Sequence, residues 1–295
     1  MIVAYTAGWR MANQVFHYLY LMALALEFDL NLKIIDFRHL GYFDFFGPGK
    51  SVCSYHPRWV KFLHRMCRSN KLRPFLKPLG IRSLRVYWNE ESGWLAQEVK
   101  NLMKGLTFLD CWPVVDYELL YKHQEAIRNT FRPKKEYWDV AENIMAEQRS
   151  HGVPVVGVHV RRTDYKEWLD GKHFYEVPVY ARFMRKISEL MNGEVVFVIC
   201  SDEEMKREDF DVPCRAMYIS HNPFMVDYSL LTHCDYTIGP PSTFRMTSAF
   251  LGNTPSFAID SPDRELTSME QFIVPLMGNV PAERKHALQG MGVTA

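Results

Sequence analysis

The pattern of apolar and polar positions along the chain predicts both strands and helices, and both kinds of element appear near the start. Residues 2–5 and 32–36 are short apolar runs typical of buried strands, and residues 13–28 between them are nearly all apolar, which favours a buried helix. A strand, a loop that contains Gly8, a helix and a second strand form the beginning of a parallel, doubly wound sheet.

The same alternation resumes in the second half of the chain. It predicts strands at residues 154–160, 194–200, 215–219, 235–239 and 255–259, and helices at residues 178–191, 223–233 and 243–251. Before them, residues 106–112 indicate a strand and residues 117–130 a helix, whereas residues 40–90 have no regular period and predict loops with short helices. Residues 133–153 are polar at both ends around a helix-like middle and are the best candidate for a linker.

A chain of 295 residues is longer than one typical domain. We therefore expect two domains, an N-terminal one at residues 1–150 and a C-terminal one at residues 151–295. The predicted fold class is α/β, with two α/β layers and a cleft between them.

Charge and composition narrow the classes of function. With 35 Lys+Arg against 34 Asp+Glu the net charge is +1, so the balance does not favour a nucleic-acid partner. The longest apolar run near the start, residues 18–26, is shorter than the ~20 residues of a membrane span, and no signal-peptide pattern is present. The six cysteines form no C-x-x-C pair. A cytoplasmic protein without a transmembrane segment is expected.

A charged cluster ends the apolar run at residues 154–160. His159 is followed by Arg161, Arg162 and Asp164, and such a cluster is costly near a core unless the charges are paired or meet a ligand. Since Arg offers a planar fork of donors that matches phosphate oxygens, a phosphate-bearing ligand at the carboxyl end of a strand is the natural candidate. A purely structural Arg–Asp pair at a domain interface is the alternative.

A second motif lies at residues 8–16. Gly8 between a strand and a helix permits close approach of a ligand to the backbone, and Asn13 adds an amide at the start of the helix. The pattern is not a full G-x-G-x-x-G, so it fails as a dinucleotide fingerprint. A turn followed by a helix cap explains it equally well.

A third motif runs from Asp227 to Phe244. A helix, a short strand and a Gly-Pro-Pro turn deliver Ser242 and Thr243 to a new helix N-terminus, where hydroxyls and free N–H groups can hold a phosphate or a sugar. Ordinary N-capping by Ser242 is the alternative, and it explains one hydroxyl but not the whole motif.

Three further patterns are decoys. Gly49, Lys50 and Ser51 resemble the end of a Walker A motif, but the first glycine of that motif would fall at Asp44. The D-x-D pattern at residues 209–211 is short enough to arise by chance, and the histidines show no zinc-ligand spacing. No metal cofactor is expected.

The three motifs together resemble the superfamily of α-1,2-, α-1,6- and protein O-fucosyltransferases. Residues 159–164 resemble its H-x-R-R-x-D motif, and residues 227–244 resemble its third motif. Residues 8–16 resemble its G-R-x-G-N-Q-x-F motif, with the arginine displaced by Trp9 and with Ala12 in place of a glycine. Trp112 and residues 117–127 also resemble glycosyltransferase family 11, the α-1,2-fucosyltransferases.

The resemblance implies a GT-B architecture, in which two Rossmann-like domains face each other across a cleft. The C-terminal domain would bind the donor substrate GDP-fucose, and the N-terminal domain would lie on the acceptor side. The implied reaction is an inverting, metal-independent transfer of L-fucose to a hydroxyl of a glycan acceptor, with an α-1,2 linkage to a galactoside as the expected product.

The resemblance also implies roles for single residues. Arg161 would contact the β-phosphate and assist its departure, and His159 and Asn13 would lie near the donor phosphates or the fucose. Asp227 would help to hold the guanosine, and Asp164 joins Arg161 and His159 as a catalytic candidate. The remaining donor-binding candidates are Gly8, Arg162, Ser201, Asp202, Ser242, Thr243 and Phe244.

The general base is left open. An inverting displacement needs a group that accepts the proton of the acceptor hydroxyl, and Asp164, Glu167 and Asp170 are the local carboxylates. Leu169 falls near the position where some relatives have a glutamate, so a leaving-group-assisted mechanism without a dedicated base is an alternative. A transferase for another GDP-sugar and a GDP-sugar-binding protein without turnover are alternatives as well.

Overall fold

The computed structural model of the chain describes residues 2–5, 9–46, 58–69, 71–86, 105–111 and 117–273. The chain divides into two compact units, Met1–Arg132 and Pro133–Ala295. Each unit contains a parallel sheet with helices, as the predicted α/β class requires. Among the described helices, none combines the length and the apolar character that a bilayer span requires.

Unit 1 is built on a four-stranded parallel sheet in the order β2-β1-β5-β4. A short second sheet pairs β3 with β6. The strands are β1 Ile2–Tyr5, β2 Leu32–Ile35, β3 Phe43–Phe45, β4 Ile81–Val86, β5 Leu106–Cys111 and β6 Phe131–Pro133. The helices are α1 Met11–Glu27, α2 Arg58–Arg68, α3 Arg73–Leu76, α4 Tyr117–Lys122 and α5 Gln124–Arg128, with a 3₁₀ turn at Leu40–Tyr42.

Helix α1 forms the core of unit 1, as its nearly continuous apolar sequence predicts. Thirteen of its 17 residues are buried. The buried Tyr18 hydroxyl donates to Thr130 Oγ1 at 2.8 Å, which satisfies a polar group that burial would otherwise leave unpaired. At the start of the helix, the Gln14 amide donates to the Asp36 carbonyl at 3.2 Å and ties α1 to the end of β2.

Two sequence predictions for unit 1 are wrong in detail. Residues 40–90 were predicted to form loops and short helices, yet Ile81–Val86 forms strand β4 at the edge of the main sheet. The arginines at positions 82 and 85 obscure its apolar pattern, and an edge strand tolerates charged residues. The helix predicted at residues 117–130 is instead divided into α4 and α5.

Unit 2 is built on a five-stranded parallel sheet in the order β11-β10-β7-β8-β9. The strands are β7 Val155–Val160, β8 Val196–Ser201, β9 Ala216–Ile219, β10 Tyr236–Gly239 and β11 Ser256–Ala258. The helices are α6 Lys135–Arg149, α7 Val177–Leu190, α8 Phe224–His233 and α9 Thr243–Gly252. Each of the five strands and of the last three helices confirms a predicted element to within two residues.

Both faces of the unit 2 sheet are buried, which explains the continuous apolar runs of its central strands. One face packs against α7 and the other against α6 and α8. Gly157 in β7 lies under α8: a Cβ there would come within 2.8 Å of both Cys234 Sγ and a Leu231 methyl. Glycine at this position therefore lets the helix lie close to the sheet.

The segment predicted to be a linker is a structural part of unit 2. Residues 135–149 form the regular helix α6, whose buried Ala141 and Met145 pack with Leu230 and Leu231 of α8. The pattern that marks this packing is a stripe of buried residues four apart within an otherwise polar helix. The division between the units therefore precedes α6.

Candidate functional site

Polar residues of the two motifs at 159–164 and 227–244 lie at one edge of the unit 2 sheet, together with residues that follow β8 and β9. Arg161 follows β7, Asp202 follows β8, Ser220 follows β9 and Ser242 follows β10 shortly after the Gly-Pro-Pro turn begins. Because all five strands are parallel, these residues follow the carboxyl ends of the strands, where open α/β sheets bind their ligands.

Arg161 is held between two carboxylates. Its Nη2 lies 2.7 Å from Asp164 Oδ1, and its Nε lies 3.2 Å from Asp202 Oδ2. The guanidinium carbon also lies 5.8 Å from the centre of the Tyr165 ring. A fifth of the Arg161 side chain stays exposed, so the guanidinium is oriented by its partners and remains within reach of a ligand.

Arg162 is engaged on the other side of the same loop. Its Nε lies 2.9 Å from Glu203 Oε2, and its Nη1 lies 2.8 Å from Glu176 Oε2 and donates to the Tyr175 carbonyl. The guanidinium carbon is 4.9 Å from the centre of the Phe174 ring. These contacts use much of the hydrogen-bonding capacity of Arg162. Its contact with GDP-fucose stays a prediction.

Asp202 organises the loop that carries both arginines. Its Oδ1 accepts the backbone N–H of Arg162 at 2.9 Å, and its Oδ2 accepts the Thr163 hydroxyl at 2.6 Å in addition to the ion pair with Arg161. One carboxylate at the end of β8 thereby fixes the backbone and the side chains of the loop that follows β7.

His159 is buried beneath the loop. Only 3% of the residue is exposed, and its ring stacks on Phe244 with the centres 5.2 Å apart. Burial and the positive charges of Arg161 and Arg245 lower the pKa of His159 well below its usual value, so the imidazole is neutral at neutral pH. Among the described residues, its buried Nδ1 has no hydrogen-bond partner, which is uncommon for a buried ring nitrogen.

The turn after β10 brings a helix N-terminus to the same edge. A Cβ on Gly239 would come within 2.5 Å of the His159 carbonyl, so glycine is required for the close approach of β10 to the end of β7. Ser242 is the N-cap of α9, and its side chain makes no capping hydrogen bond. The Tyr165 hydroxyl donates to the Pro241 carbonyl at 2.6 Å and ties this turn to the loop after β7.

Arg245, in the first turn of α9, is a residue that the sequence analysis did not select. It is 2% exposed, and among the described residues no carboxylate lies within ion-pair distance of its guanidinium. Its Nη1 donates to Ser256 Oγ and its Nη2 reaches the Pro240 carbonyl at 3.5 Å, while no described residue accepts a hydrogen bond from its Nε. Burial lowers the pKa of Arg245 to about 10, which still leaves the guanidinium charged at neutral pH.

The Arg245 side chain lies directly beside the predicted site. Its Cδ and the His159 Cβ both approach the point where a Gly239 Cβ would sit, at 3.3 and 3.1 Å. A buried cation without a carboxylate is costly, and such groups persist where a ligand or a function compensates the cost. The available sequence signal was an arginine one position after the S-T-F triplet, inside an otherwise apolar and hydroxyl-bearing helix.

Asp227 lies in the first turn of α8 and is also buried. Its Oδ1 accepts the hydroxyl of Ser220, which follows β9. Burial raises the pKa of Asp227 to about 7, and the Ser220 hydrogen bond opposes that shift. The carboxyl group is therefore poised to change its charge near neutral pH, as functional carboxyl groups frequently are.

The remaining predicted residues fall into two groups. Ser201 Oγ accepts the Glu203 N–H at 3.1 Å, and Phe244 packs edge-on against Tyr228 with the ring centres 5.3 Å apart, so both belong to the unit 2 edge, as does Thr243 at the start of α9. Asn13 lies half-buried in the first turn of α1 in unit 1. Gly8 lies outside the described residues.

The carboxylates considered as general bases differ in their surroundings. Asp164 is committed to the ion pair with Arg161, whereas Glu167 and Asp170 are exposed. Leu169 and Asp170 both have positive φ, at 51° and 54°, in a conformation that non-glycine residues seldom adopt. Two consecutive residues in this conformation form an unusual turn directly after the motif.

The described residues contain no group of three or more His, Cys, Asp or Glu side chains placed to hold a metal ion. The chemistry that they do offer is anion binding, from guanidinium groups, hydroxyls and the backbone N–H groups at the start of α9.

Solved structures share this fold. A mutant of Arabidopsis thaliana FUT1 in complex with GDP is 10% identical with a TM-score of 0.55, and the match covers 88% of this chain and 70% of that one. POFUT1 in complex with GDP-fucose is 12% identical with a TM-score of 0.51, covering 86% and 94%. NodZ from Bradyrhizobium is 16% identical with a TM-score of 0.51, covering 89% and 96%. The likeness confirms the GT-B fold class, with its Rossmann-like units.

Sequence comparison assigns the family. No curated protein sequence matches the chain significantly. The family model described as glycosyl transferase family 11 matches residues 114–271, which is more than half of the chain and includes the motifs at 159–164 and 227–244. This match confirms the prediction of a glycosyltransferase: the chain belongs to glycosyl transferase family 11.

Proposed function

We propose that this chain transfers L-fucose from GDP-fucose to a hydroxyl of a glycan acceptor, with inversion at the anomeric carbon and without a metal ion. An α-1,2 linkage to a galactoside is the expected product. The family assignment supports the proposal, as does the likeness of fold to a GDP complex of FUT1 and to GDP-fucose complexes of POFUT1 and NodZ.

The single observation that carries the proposal is the convergence of groups that can bind an anion at the carboxyl edge of unit 2. Arg161, the buried Arg245 and the N-terminus of α9 all lie where the loops after β7 and β10 meet. A diphosphate is the part of the donor whose charge matches this arrangement.

The reaction places its greatest electrostatic demand at the same point. The acceptor oxygen forms a bond to the anomeric carbon of fucose while the bond from that carbon to the β-phosphate oxygen breaks. GDP leaves with the electron pair, and the proton of the acceptor hydroxyl passes to a base. Fixed hydrogen-bond donors that face the growing negative charge on GDP stabilise the transition state most effectively. Arg161, oriented by Asp164 and Asp202, is the proposed hydrogen-bond donor.

Arg245 has a supporting role in this proposal. Because it is buried behind Gly239, it acts through its charge rather than through direct contact with the donor. No carboxylate among the described residues neutralises it, so its field extends toward the turn that bears Ser242 and Thr243. The arginines and the helix N-terminus together supply the charge that a divalent metal ion supplies in other transferases, which is the physical basis for proposing metal independence.

The other predicted residues complete the proposed donor site. Asp227 accepts hydrogen bonds from the guanosine portion, while Ser242, Thr243 and Phe244 line the pocket for the phosphate and the fucose. Gly8 and Asn13, in the first motif of the N-terminal unit, help to bind the donor substrate, and the rest of that unit contributes to binding of the acceptor.

The decisive experiment incubates the protein with GDP-fucose and a panel of galactosides in the presence of EDTA. We expect release of GDP together with a fucosylated product, whose linkage and anomeric configuration are read by NMR. Transfer that depends on an added divalent cation contradicts metal independence, and preferential use of another GDP-sugar contradicts the donor assignment. Binding of GDP with neither transfer nor hydrolysis of the donor identifies a binding protein instead.

A further inference from the structure

One segment of unit 1 has a charge pattern that the rest of the chain lacks. Residues 45–89 contain ten Lys or Arg and no Asp or Glu. Since the whole chain has 35 Lys+Arg and 34 Asp+Glu, the remaining residues hold 25 basic and 34 acidic side chains. The net charge of +1 therefore conceals a strongly basic segment in an acidic remainder, and such asymmetry points to an anionic partner.

The same segment exposes large apolar side chains. Ten large apolar residues are exposed in the described parts of the chain, and five of them lie between residues 59 and 79. They are Trp59 at 59%, Phe62 at 64%, Leu72 at 40%, Phe75 at 74% and Leu79 at 72%. Single exposed apolar residues are ordinary, but a concentration of them in one segment marks an interaction surface.

The exposure on α2 follows from the helix geometry. Val60 and Cys67 are buried against the core of unit 1. At 100° per residue, Trp59, Phe62 and Arg65 lie on the opposite side of the helix, and all three are exposed. Helix α2 therefore has one apolar face that the core covers and a second face, aromatic and basic, that the described residues leave uncovered.

The following segment repeats the pattern. Leu72, Phe75 and Leu79 are spaced by three and four residues around the short helix α3 and the turn after it, and all three are exposed. Lys71 and Lys77, which alternate with them, are exposed as well. The two helices pack against each other, so residues 58–69 and 71–79 share one part of the unit 1 surface, here called the basic apolar surface.

We propose that the basic apolar surface docks the protein onto membranes that contain anionic lipids. Lys and Arg side chains are attracted to anionic headgroups, while Trp, Phe and Leu partition into the boundary between headgroups and acyl chains. The aliphatic Leu72 and Leu79 favour a lipid over a nucleic acid, whose bases stack on aromatic rings and gain little from leucine. The inference is independent of the donor and of the reaction proposed above.

Vesicle sedimentation tests the proposal. The full chain is mixed with vesicles of phosphatidylcholine alone or of equal parts phosphatidylcholine and phosphatidylglycerol. We expect binding to the anionic vesicles at ~0.05 M ionic strength, weaker binding at ~0.5 M because salt screens the charges, and little binding to the neutral vesicles.

Two double variants separate the contributions of charge and of apolar side chains. Arg65→Gln with Lys77→Gln should lower the partition coefficient about fivefold for each charge removed, and Trp59→Ser with Phe62→Ser should lower it about tenfold. The matched controls lie on unit 2: Lys135→Gln with Lys186→Gln removes two exposed charges, and Val140→Ser removes an exposed apolar side chain. We expect the controls to bind as the wild type does.

Three results overturn the proposal. The first is the absence of binding to anionic vesicles at low salt. The second is tighter binding to a single-stranded oligonucleotide than to the vesicles, which makes the surface a nucleic-acid site. The third is self-association, measured by sedimentation velocity, that the two double variants abolish without any vesicle binding, which makes the surface an interface between copies of the chain.

Discussion

The two sides of the candidate site treat arginine in opposite ways. In the loop after β7, Arg161 and Arg162 are each paired with two carboxylates, whereas Arg245 beneath the turn after β10 has none among the described residues. Pairing fixes the direction of a guanidinium and reduces its net charge. Where no described carboxylate pairs with the guanidinium, as at Arg245, the charge stays unbalanced. The loop after β7 therefore supplies a guanidinium of fixed direction, and Arg245 supplies positive electrostatic potential. A diphosphate is stabilised by both.

The largest expected effect on transfer is that of a substitution at Arg161, in the loop after β7. Arg161→Ala should lower kcat/KM for transfer by ~10³-fold or more, because the donor that faces the leaving group is lost. The fold should stay intact, with a loss of stability of no more than about 1–2 kcal/mol, because Asp164 and Asp202 lose a partly exposed partner. Arg185→Ala, on α7, removes an exposed guanidinium that donates to the Asp211 carbonyl; this variant is the control and should transfer normally. Near-normal transfer by Arg161→Ala removes this residue from the mechanism.

The electrostatic role of Arg245 is tested with ligands of different charge. Arg245→Met keeps the volume and removes the charge, so the affinity for GDP should fall about tenfold, that for GMP by less, and that for guanosine not at all. The same variant should unfold at a higher temperature than the wild type without ligand, because a buried, unbalanced charge has been removed. Calorimetric titration and thermal unfolding measure the two effects.

Two outcomes contradict an electrostatic role for Arg245. An equal loss of affinity for guanosine and for GDP identifies a general packing defect rather than an electrostatic role. Unchanged affinity for all three ligands removes Arg245 from the site, while binding of GDP by the wild type would still support the proposed function.

Asp227 adds a dependence on pH. Because burial raises its pKa in the folded chain to about 7, the folded state binds a proton that the unfolded state releases from about pH 4 upward. Its contribution to stability is thus present at low pH and is lost as pH rises toward 7. Asp227→Asn should stabilise the ligand-free protein at pH 8, by up to about 4 kcal/mol, and by progressively less at lower pH. Thermal unfolding as a function of pH measures this.

The charge state of Asp227 should also govern binding. If the ionised carboxylate accepts hydrogen bonds from the guanosine, the affinity for GDP rises several-fold between pH 6 and pH 8 in the wild type. Asp227→Asn should bind more weakly at pH 8 and lose this dependence. A variant that keeps the wild-type pH dependence assigns the titration to another group, which separates Asp227 from the nucleotide.

The smallest effect is expected at Arg162 if its guanidinium only braces the loop. Arg162→Met should lower stability by about 1–2 kcal/mol, because Glu176 and Glu203 lose their common partner. GDP affinity should change by less than about threefold if its guanidinium only braces the loop, and by at least tenfold if it contacts the diphosphate as the motif implies. Isothermal titration calorimetry with GDP distinguishes these two roles of Arg162.

The apolar periodicity predicted much of unit 2 because its elements are locally encoded. Strands β7 and β8 are continuous apolar runs, and α7 to α9 begin and end near the predicted positions. Strand β4 escaped prediction because an edge strand with two arginines lacks that signal. Helix α6 looked like a linker because its buried stripe is narrow, and only its packing on α8 shows where it belongs.

The sequence by itself determined which chemistry the chain carries: the order of its motifs, the α/β class and the likeness to family 11 all follow from neighbouring residues. Tertiary structure alone decided the electrostatic state of each group. Arg161 and Arg162 are adjacent in sequence, but Asp202, Glu203 and Glu176 reach them from 14 to 41 residues away. Arg245 is a buried, unbalanced charge because, among the described residues, the fold places Ser256 of β11 beside its guanidinium and no carboxylate. Charge pairing and burial depend on distances in space, which local sequence patterns do not encode.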